Sequence, residues 1–329
     1  MAYLRGMERV VDGLRGAFQV SRAGQVVAGA AGGLADDDTG EPCTLATRFQ
    51  AGSISKLFVA AAMMLLSEGG ALSLDDRVAR WWPLAPPAWR DMTVAHVLAH
   101  RAGLVHWDGL PGFDLDQPRT RREILEQASQ LPLLFDPGSG WAYSCVGYLL
   151  AAAIIEGVAG QPYAEFVAEH IFRPLRMDAT TSGLVPDGHP WHSAQGHRDG
   201  RPIPLVSWLT SLPGTGDVWT TVEDLVRYAD AVSAGDLLTE RSLRLMTHPH
   251  AVVAPSFDAG LVTAAAYGYG VYIGSINGCP ARFHTGDNPG FRSLLAWLPE
   301  AHVSLAILSN DDSRPLDAVI SQLEVLTDG

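Results

Sequence analysis

The sequence predicts an α/β chain of the α+β type, an antiparallel β-sheet flanked by helices with an inserted all-helical segment. Three observations predict it. Apolar and polar residues alternate with a period of two only near the two ends of the chain, around Ala17–Ala28 and from Tyr267 to Leu308. Between them the apolar spacing is helical, with long connections rich in Pro, Gly and Trp. The chain has 329 residues, 47% hydrophobic and 18% charged, which suffices for a substantial core and describes an ordinary globular protein.

In chain order, Met7 to Leu14 predicts a short amphipathic helix. Ala17–Val20 and Gln25–Ala28 then form a hairpin around a Ser21-Arg22-Ala23-Gly24 turn. Phe49 to Gly52 reads as a strand end and turn. The almost wholly apolar run Leu57–Leu66 follows as a buried helix that stops at Gly69-Gly70. Thr120–Gln130 and Tyr148–Gly160 are the clearest helices of the middle segment, which extends from Asp75 to about Pro204. Tyr267–Ile273, Ala281–His284, Ser293–Leu298 and Val303–Leu308 read as antiparallel strands, and Arg314–Leu326 as a closing helix. The expected organisation is a sheet-containing domain of residues 1–75 and 205–329, a helical insertion of residues 76–204, and a site at their junction.

One residue carries chemical information out of proportion to its number. Lys56 is the only lysine, and arginine supplies the other 22 of the 23 basic residues. Lysine differs from arginine in that desolvation makes it neutral near pH 7, whereas guanidinium stays protonated. Lys56 stands three residues after Ser53, so both lie on one helical face at the start of the apolar helix. A neutral amine beside a serine hydroxyl is a general base beside a nucleophile. The free N–H groups of a helix's first turn favour negative charge developing there. The alternative is an exposed lysine near an N-capping serine, which the apolar surroundings disfavour.

Composition excludes several other classes. A net charge of −13 with no basic run argues against nucleic acid as a partner. The longest apolar stretches, Leu57–Leu66 and Tyr148–Ile155, are too short to span a bilayer. Met1–Gly16 mixes charges with apolar residues and does not read as a secretory signal. Cys43, Cys145 and Cys279 show no metal-like spacing, and free thiols point to a cytoplasmic protein. No cofactor is expected.

Two further segments complete a candidate site. Tyr143 lies in a turn-rich approach to the helix beginning near Cys145; its phenol relays protons there, or it merely anchors the loop. His284-Thr285-Gly286-Asp287-Asn288-Pro289-Gly290 ends a strand and enters a glycine-rich turn that brings backbone N–H groups near a ligand, or is a plain hairpin turn.

Taken in order, Ser53-Ile54-Ser55-Lys56, Tyr143-Ser144-Cys145 and His284-Thr285-Gly286 resemble the S-x-x-K, Y-x-N and K-T-G (or H-x-G) motifs of the serine β-lactamase and penicillin-binding-protein superfamily. The nearest branch is that of the class C β-lactamases and esterases. His100-Arg101-Ala102-Gly103-Leu104, Pro174-Leu175-Arg176-Met177 and Thr220-Thr221-Val222-Glu223-Asp224-Leu225 resemble further family segments, so the similarity runs from about Phe49 to Asn310. The resemblance implies Ser53 as nucleophile, Lys56 as its base partner and Tyr143 as general acid and base. It also implies an oxyanion hole made by the N–H groups of Ser53 and Asp287, with His284 and Gly286 bordering the substrate.

Two departures matter. Cys145 replaces the motif's asparagine, and a thiol is a poor hydrogen-bonding substitute. His284 replaces the lysine that β-lactamases use toward the substrate carboxylate. Both disfavour penicillin or cephalosporin hydrolysis. The expectation is therefore a serine hydrolase acting on a small ester or amide, in the cytoplasm and of biosynthetic origin. Its alternatives are an acyltransferase, a β-lactamase or D-amino-acid peptidase, and a non-catalytic binding protein.

Other residues are expected to be structural. His96 and His100 have i, i+4 spacing but read as packing or capping residues and not as zinc ligands. His189, His192 and His197 read as surface histidines. Cys145 is a weaker candidate nucleophile than Ser53. Trp141 and Trp219 flank motif segments and are candidates to wall an apolar acyl pocket.

Overall fold

The structure is a computed structural model, and it describes residues 13–184, 192–253 and 258–323. Its principal sheet is built from β1 (Gly16–Arg22), β2 (Gln25–Gly32), β3 (Ala251–Val252), β4 (Val262–Tyr267), β5 (Tyr272–Ile276), β6 (Cys279–Asn288), β7 (Phe291–Leu298) and β8 (Val303–Ser309). They lie side by side in the order β3-β4-β5-β6-β7-β8-β1-β2, and Asp258–Ala259 pairs with β4 off this path. Among the described residues every pairing in this sheet is antiparallel. The first strands of the chain close against the last, as the alternation at the two ends predicts.

Period-two patterning gives this sheet two buried faces. Phe18, Val20, Leu294, Leu305 and Ile307 pack on one side with Val319 and Ile320. Ala17, Leu295, Ala306 and Leu308 face the other, where the main apolar cluster lies. On that side the Ser21 and Ser304 hydroxyls both donate to Asp230 Oδ1. Asp230 belongs to the helix Val222–Ala234, which Thr221 caps and Gly235 ends in a left-handed conformation. The half-buried carboxylate thus has two donors, which ties the helix to both strands.

Helix α1 (Ser55–Glu68) runs through the centre of the main cluster, with eleven of its fourteen residues buried. It packs on α2 (Cys145–Ala159), capped by the Ser144 hydroxyl at its start and by Gly160 at φ 69° at its end. The predicted Thr120–Gln130 helix spans Arg121–Ser129, with Thr120 and Glu123 forming a capping box.

Some expectations need correction. The first hairpin turns through Ala23 and Gly24 alone, both at positive φ, while Ser21 and Arg22 belong to β1. Tyr267–Ile273 is not one strand: β4 ends at Tyr267 and β5 begins at Tyr272. Gly270, at φ 69°, makes the turn, and a Cβ there would lie 2.7 Å from Lys56 O. His284–Gly286 lies inside β6, and the turn is made by Pro289-Gly290. Among the described residues from Arg314 onward there is one helical turn, Asp317–Ile320, and Arg314 precedes it, bonded back to Asp311 and Gly13. Residues 324–326 of that expected helix, and nearly all of the Met7–Leu14 helix, lie outside the described residues.

His197 is likewise no surface residue. It is fully buried between Asn310 O and Asp37, with Asn310 drawn inward by Gln195 O and Leu34 O. His192 is exposed beside Glu41, and His189 lies outside the described residues. His96 closes a capping box with Thr93, whereas His100 sits past that helix at φ 57°, so the pair does not share a helical face.

The approach of β6 to the turn before α1 is the contact that positions the site. A Cβ on Gly286 would fall 2.1 Å from Ala51 O and 2.4 Å from Ser293 Oγ. Gly286→Ala is therefore expected to force the strand and turn apart and cost about 1–3 kcal/mol in urea unfolding; an unchanged midpoint would contradict this packing.

Candidate active site

Ser53 lies in a 3-10 turn, Gly52–Ile54, that feeds directly into α1. Gly52 takes φ 53°, and a Cβ on it would meet Asp287 N at 2.7 Å. The turn is pinned from three sides. Ala51 N–H donates to Val218 O, the Ser55 hydroxyl accepts from Val218 N–H, and the Ser293 hydroxyl donates to Ala51 O.

The register of β6 determines what it offers to Ser53. Asn288 pairs with Phe291 across the two-residue Pro289-Gly290 turn, so Asn288, Gly286 and His284 exchange hydrogen bonds with β7. Thr285 and Asp287 direct their backbone groups to the opposite edge. There β5 pairs only as far as Phe283, which leaves that edge open beside the Ser53 turn. A backbone N–H at Asp287 thus faces the serine, and Ser53 N–H opens the first helical turn.

Lys56 is fully buried. Its Nζ lies 3.0 Å from Ser53 Oγ, 3.2 Å from Thr215 O and 3.3 Å from Cys145 Sγ. Burial lowers its pKa, and the partly opposing influences of Cys145 and the more remote Asp217 do not reverse that direction. Burial also raises the Cys145 thiol, so the pair is driven toward neutral amine and neutral thiol together. A neutral amine has two N–H donors and one lone pair. Thr215 O and Cys145 Sγ receive the donors, and the lone pair is left for the Ser53 hydroxyl proton.

Tyr143 lies beside Ser53, near enough for the serine hydroxyl to act on the phenol, and its ring centroid lies 5.0 Å from Lys56 Nζ. Burial pushes its phenol well above the usual range, so it is a neutral hydroxyl and not a tyrosinate. Two histidines hold the corner that carries it: His100 Nδ1 accepts from Ser144 N–H, and His106 Nδ1 accepts from Cys145 N–H. Both must be neutral to accept. Burial provides for that, taking His106 to about 4 and His100 well below its ordinary value.

His284 is also buried and neutral, lowered to about 3 by burial and by Lys56. Its Nδ1–H donates to Thr285 O at 2.6 Å and its Nε2 accepts from Tyr267 at 3.0 Å, a tautomer assigned from these partners. With both nitrogens committed inside the protein, His284 steadies the wall through Tyr267.

The structure thus brings together Ser53, Lys56, Tyr143, Cys145, the backbone of Gly286 and Asp287, and His284. Trp141 stands at the margin, its ring 6.3 Å from those of His100 and Tyr267. Trp219 does not join them; its buried ring packs on Phe291. Beside Asp287 a cleft of about 540 Å³ is lined by Trp107, Leu115, Leu209 and Arg292 among others.

Several contributors escaped the sequence reading. Thr215 supplies the carbonyl for Lys56. Fully buried Asp217 accepts from Gly214 N–H and the Ser182 hydroxyl, which shapes the Gly214–Asp217 turn around that carbonyl. Burial raises Asp217 to about 6. The available signal was Gly214-Thr215-Gly216, two glycines flanking a threonine just before the Thr220 segment. His106 gave no such signal. Among the described residues no cluster suited to a metal ion is present, and no single helix is long and apolar enough to cross a membrane.

The three neutral histidines make the fold acid-sensitive. Each has a folded pKa below the unfolded value of 6.5, so the unfolded chain binds the extra protons. Their contribution is present above pH 6.5 and is lost as pH falls toward about 4 for His106 and about 3 for His284. Asp217 acts in the opposite sense, being most favourable below 3.8 and losing its contribution as pH rises through about 6. His96 and His250 are lowered in the same sense and Asp224 is raised like Asp217; the imidazoles outnumber these carboxylates and predict lower stability at pH 4.5 than at pH 7 in denaturant titrations, with a shallower fall in His284→Gln. Equal slopes for wild type and variant would contradict the buried neutral imidazole.

The chain is similar to known proteins over most of its length. Penicillin-binding protein 4* of Bacillus subtilis is 28% identical over 314 residues, covering 89% of this chain and 67% of its own length. Esterase EstB of Burkholderia gladioli is 35% identical over 208 residues, and the match spans 56% of this chain and only half of the esterase. A D-amino acid amidase of Ochrobactrum anthropi, solved with L-phenylalanine amide, superposes with a TM-score of 0.85 over 100% of this chain and 99% of its own. At 24% identity that likeness is one of fold. The beta-lactamase family model matches residues 7–327, so nearly the whole chain is accounted for, and the protein belongs to the beta-lactamase family.

Proposed function

We propose that the protein is a serine hydrolase that forms an acyl-enzyme on Ser53 from an ester or amide of a small substrate. The observation that carries this reading is Lys56 itself, a fully buried amine 3.0 Å from Ser53 Oγ whose polar contacts are all to uncharged groups. Burying an amine is costly, and a neutral amine aimed at a hydroxyl is what nucleophile activation requires.

In this reading Lys56 takes the Ser53 proton as Oγ attacks the substrate carbonyl. The N–H groups of Ser53 and Asp287 receive the developing oxyanion. Tyr143, neutral and beside Ser53, passes its proton to the leaving group and recovers the one that Lys56 took, which leaves the amine neutral again before deacylation. Water then attacks the acyl carbonyl from the cleft side, and the same groups run in reverse. Another acyl acceptor in that position would make the protein an acyltransferase. The site is proposed to lie at the junction of a sheet-containing domain, residues 1–75 and 205–329, and a helical one, residues 76–204.

Substrate charge follows from what lines the site. His284 is neutral with both nitrogens engaged, and Arg292 is paired with Asp287 at 2.9 Å. Neither His284 nor Arg292 thereby offers a free cation to a substrate carboxylate, which favours an uncharged ester or amide over a β-lactam acid. Trp107, Leu115 and Leu209 suit an apolar group in the adjoining cleft. Trp141 borders the reacting centre from the other side, and Cys145 and Gly286 complete its floor and edge. The esterase relative supports the ester reading, and the three free thiols support a reducing compartment such as the cytoplasm.

Intact-mass spectrometry during incubation with a p-nitrophenyl ester tests the reading. Wild type is expected to gain one acyl group that maps to Ser53, while Ser53→Ala and Lys56→Arg gain none. Acylation that survives in Ser53→Ala, or its absence from wild type, would overturn the assignment.

A further inference from the structure

The mechanism leaves one reactive group unused. Cys145 Sγ lies 3.3 Å from Lys56 Nζ, and both side chains are buried directly beneath the Ser53 hydroxyl. Thiols next to an amine that can take their proton are the ones open to oxidation, because the thiolate is the reacting form. A neutral amine is in turn the nucleophile that captures an oxidised sulfur. Here the two groups are already in contact, with no third residue between them, and any molecule small enough to reach Ser53 arrives within one contact of both.

We propose that Cys145 and Lys56 form an oxidant-sensitive covalent switch, in which a peroxide links Sγ to Nζ and removes the catalytic base. In the first step Lys56 takes the thiol proton and the sulfur attacks one oxygen of hydrogen peroxide. The O–O bond breaks, and the departing hydroxide leaves as water with the proton from Lys56. Cys145 is then a sulfenic acid, oxidised by two electrons, and the peroxide is reduced. In the second step the Nζ lone pair attacks Sγ, the S–O bond breaks, and water leaves with a proton from the amine. The product is a sulfenamide, S–N bonded, two hydrogens lighter than the starting pair. A thiol reductant attacks the sulfur and restores both side chains.

The structure holds its own comparison groups. Cys43 is buried with Asn310 as its hydrogen-bond partner and no amine beside it to take its proton, so it stays inert. Cys279 is half-buried at the start of β6, away from Lys56, and oxidises without forming a link. The crosslink itself does not depend on the hydrolase assignment; only its consequence, loss of Ser53 acylation, rests on that reading.

The test is peptide mapping of the whole protein after exposure to hydrogen peroxide, without reductant. The expected product joins the peptides of Lys56 and Cys145 with the loss of two hydrogens, and dithiothreitol reverses it. Cys145→Ala gives no link and keeps the same fraction of its own starting activity with or without peroxide. Lys56→Arg gives no link, and whatever Cys145 is oxidised in it carries an unlinked sulfenic acid that dimedone traps. Recovery of Cys145 as free thiol, or as sulfenic or sulfinic acid unlinked to Lys56 in the wild type, overturns the switch. A link in a protein that never acylates Ser53 would overturn the hydrolase reading and leave the switch standing.

Discussion

The burial of one amine is the constraint on which the rest of the site depends. Lys56 lies at the start of a helix buried on most faces, and the cost of placing it there is limited only if it is neutral and its N–H groups have acceptors. Thr215 O and Cys145 Sγ are those acceptors, and Ser53 Oγ takes the third direction. The surrounding groups conform to the same condition. The imidazoles of His100, His106 and His284 are all held neutral, Tyr143 remains a phenol, and the polar contacts of the amine include no carboxylate. Asp217, the buried carboxylate whose field reaches it, sits one layer behind and acts by folding the turn that presents Thr215 O.

A second constraint is the distance between strand and helix. The backbone of β6 reaches the Ser53 turn because Gly52 and Gly286 both lack side chains where a methyl group would strike backbone atoms of the opposite element. The antiparallel register then decides which amide is free. Asp287 faces the open edge because its neighbours on either side belong to the hydrogen-bonded pairs with β7. Helix burial, glycine placement and strand register converge on one small volume, although the segments involved are more than 200 residues apart in sequence.

Much of this was legible beforehand, and the reason is local. The single lysine, the apolar run after it and the helix caps at Thr120 and Gly160 are signals carried by short segments, and each appears where the sequence places it. The misreadings arose where long-range packing decides. His197 sits in a polar segment, yet Asn310, just past the end of β8, and Asp37 in a distant turn enclose it. Trp219 lies next to a motif, yet the pleat of its short strand turns it onto Phe291. Tyr267–Ile273 alternates like one strand until Gly270 folds back onto the Lys56 carbonyl. Thr215 contributes only a main-chain oxygen, and backbone groups leave no mark in residue identity.

Because Lys56 is the only lysine, it can be observed directly. Protein labelled with ¹⁵N-lysine gives one side-chain nitrogen resonance, and its shift followed against pH reports the protonation of this amine alone. A base role for Lys56 requires a titration midpoint below the ordinary lysine value of 10.5, the direction in which burial shifts it, with neutral amine present near pH 7. A resonance that stays in the ammonium position until the pH nears 10.5 would contradict it, and Lys56 would then be a buried cation and not a base.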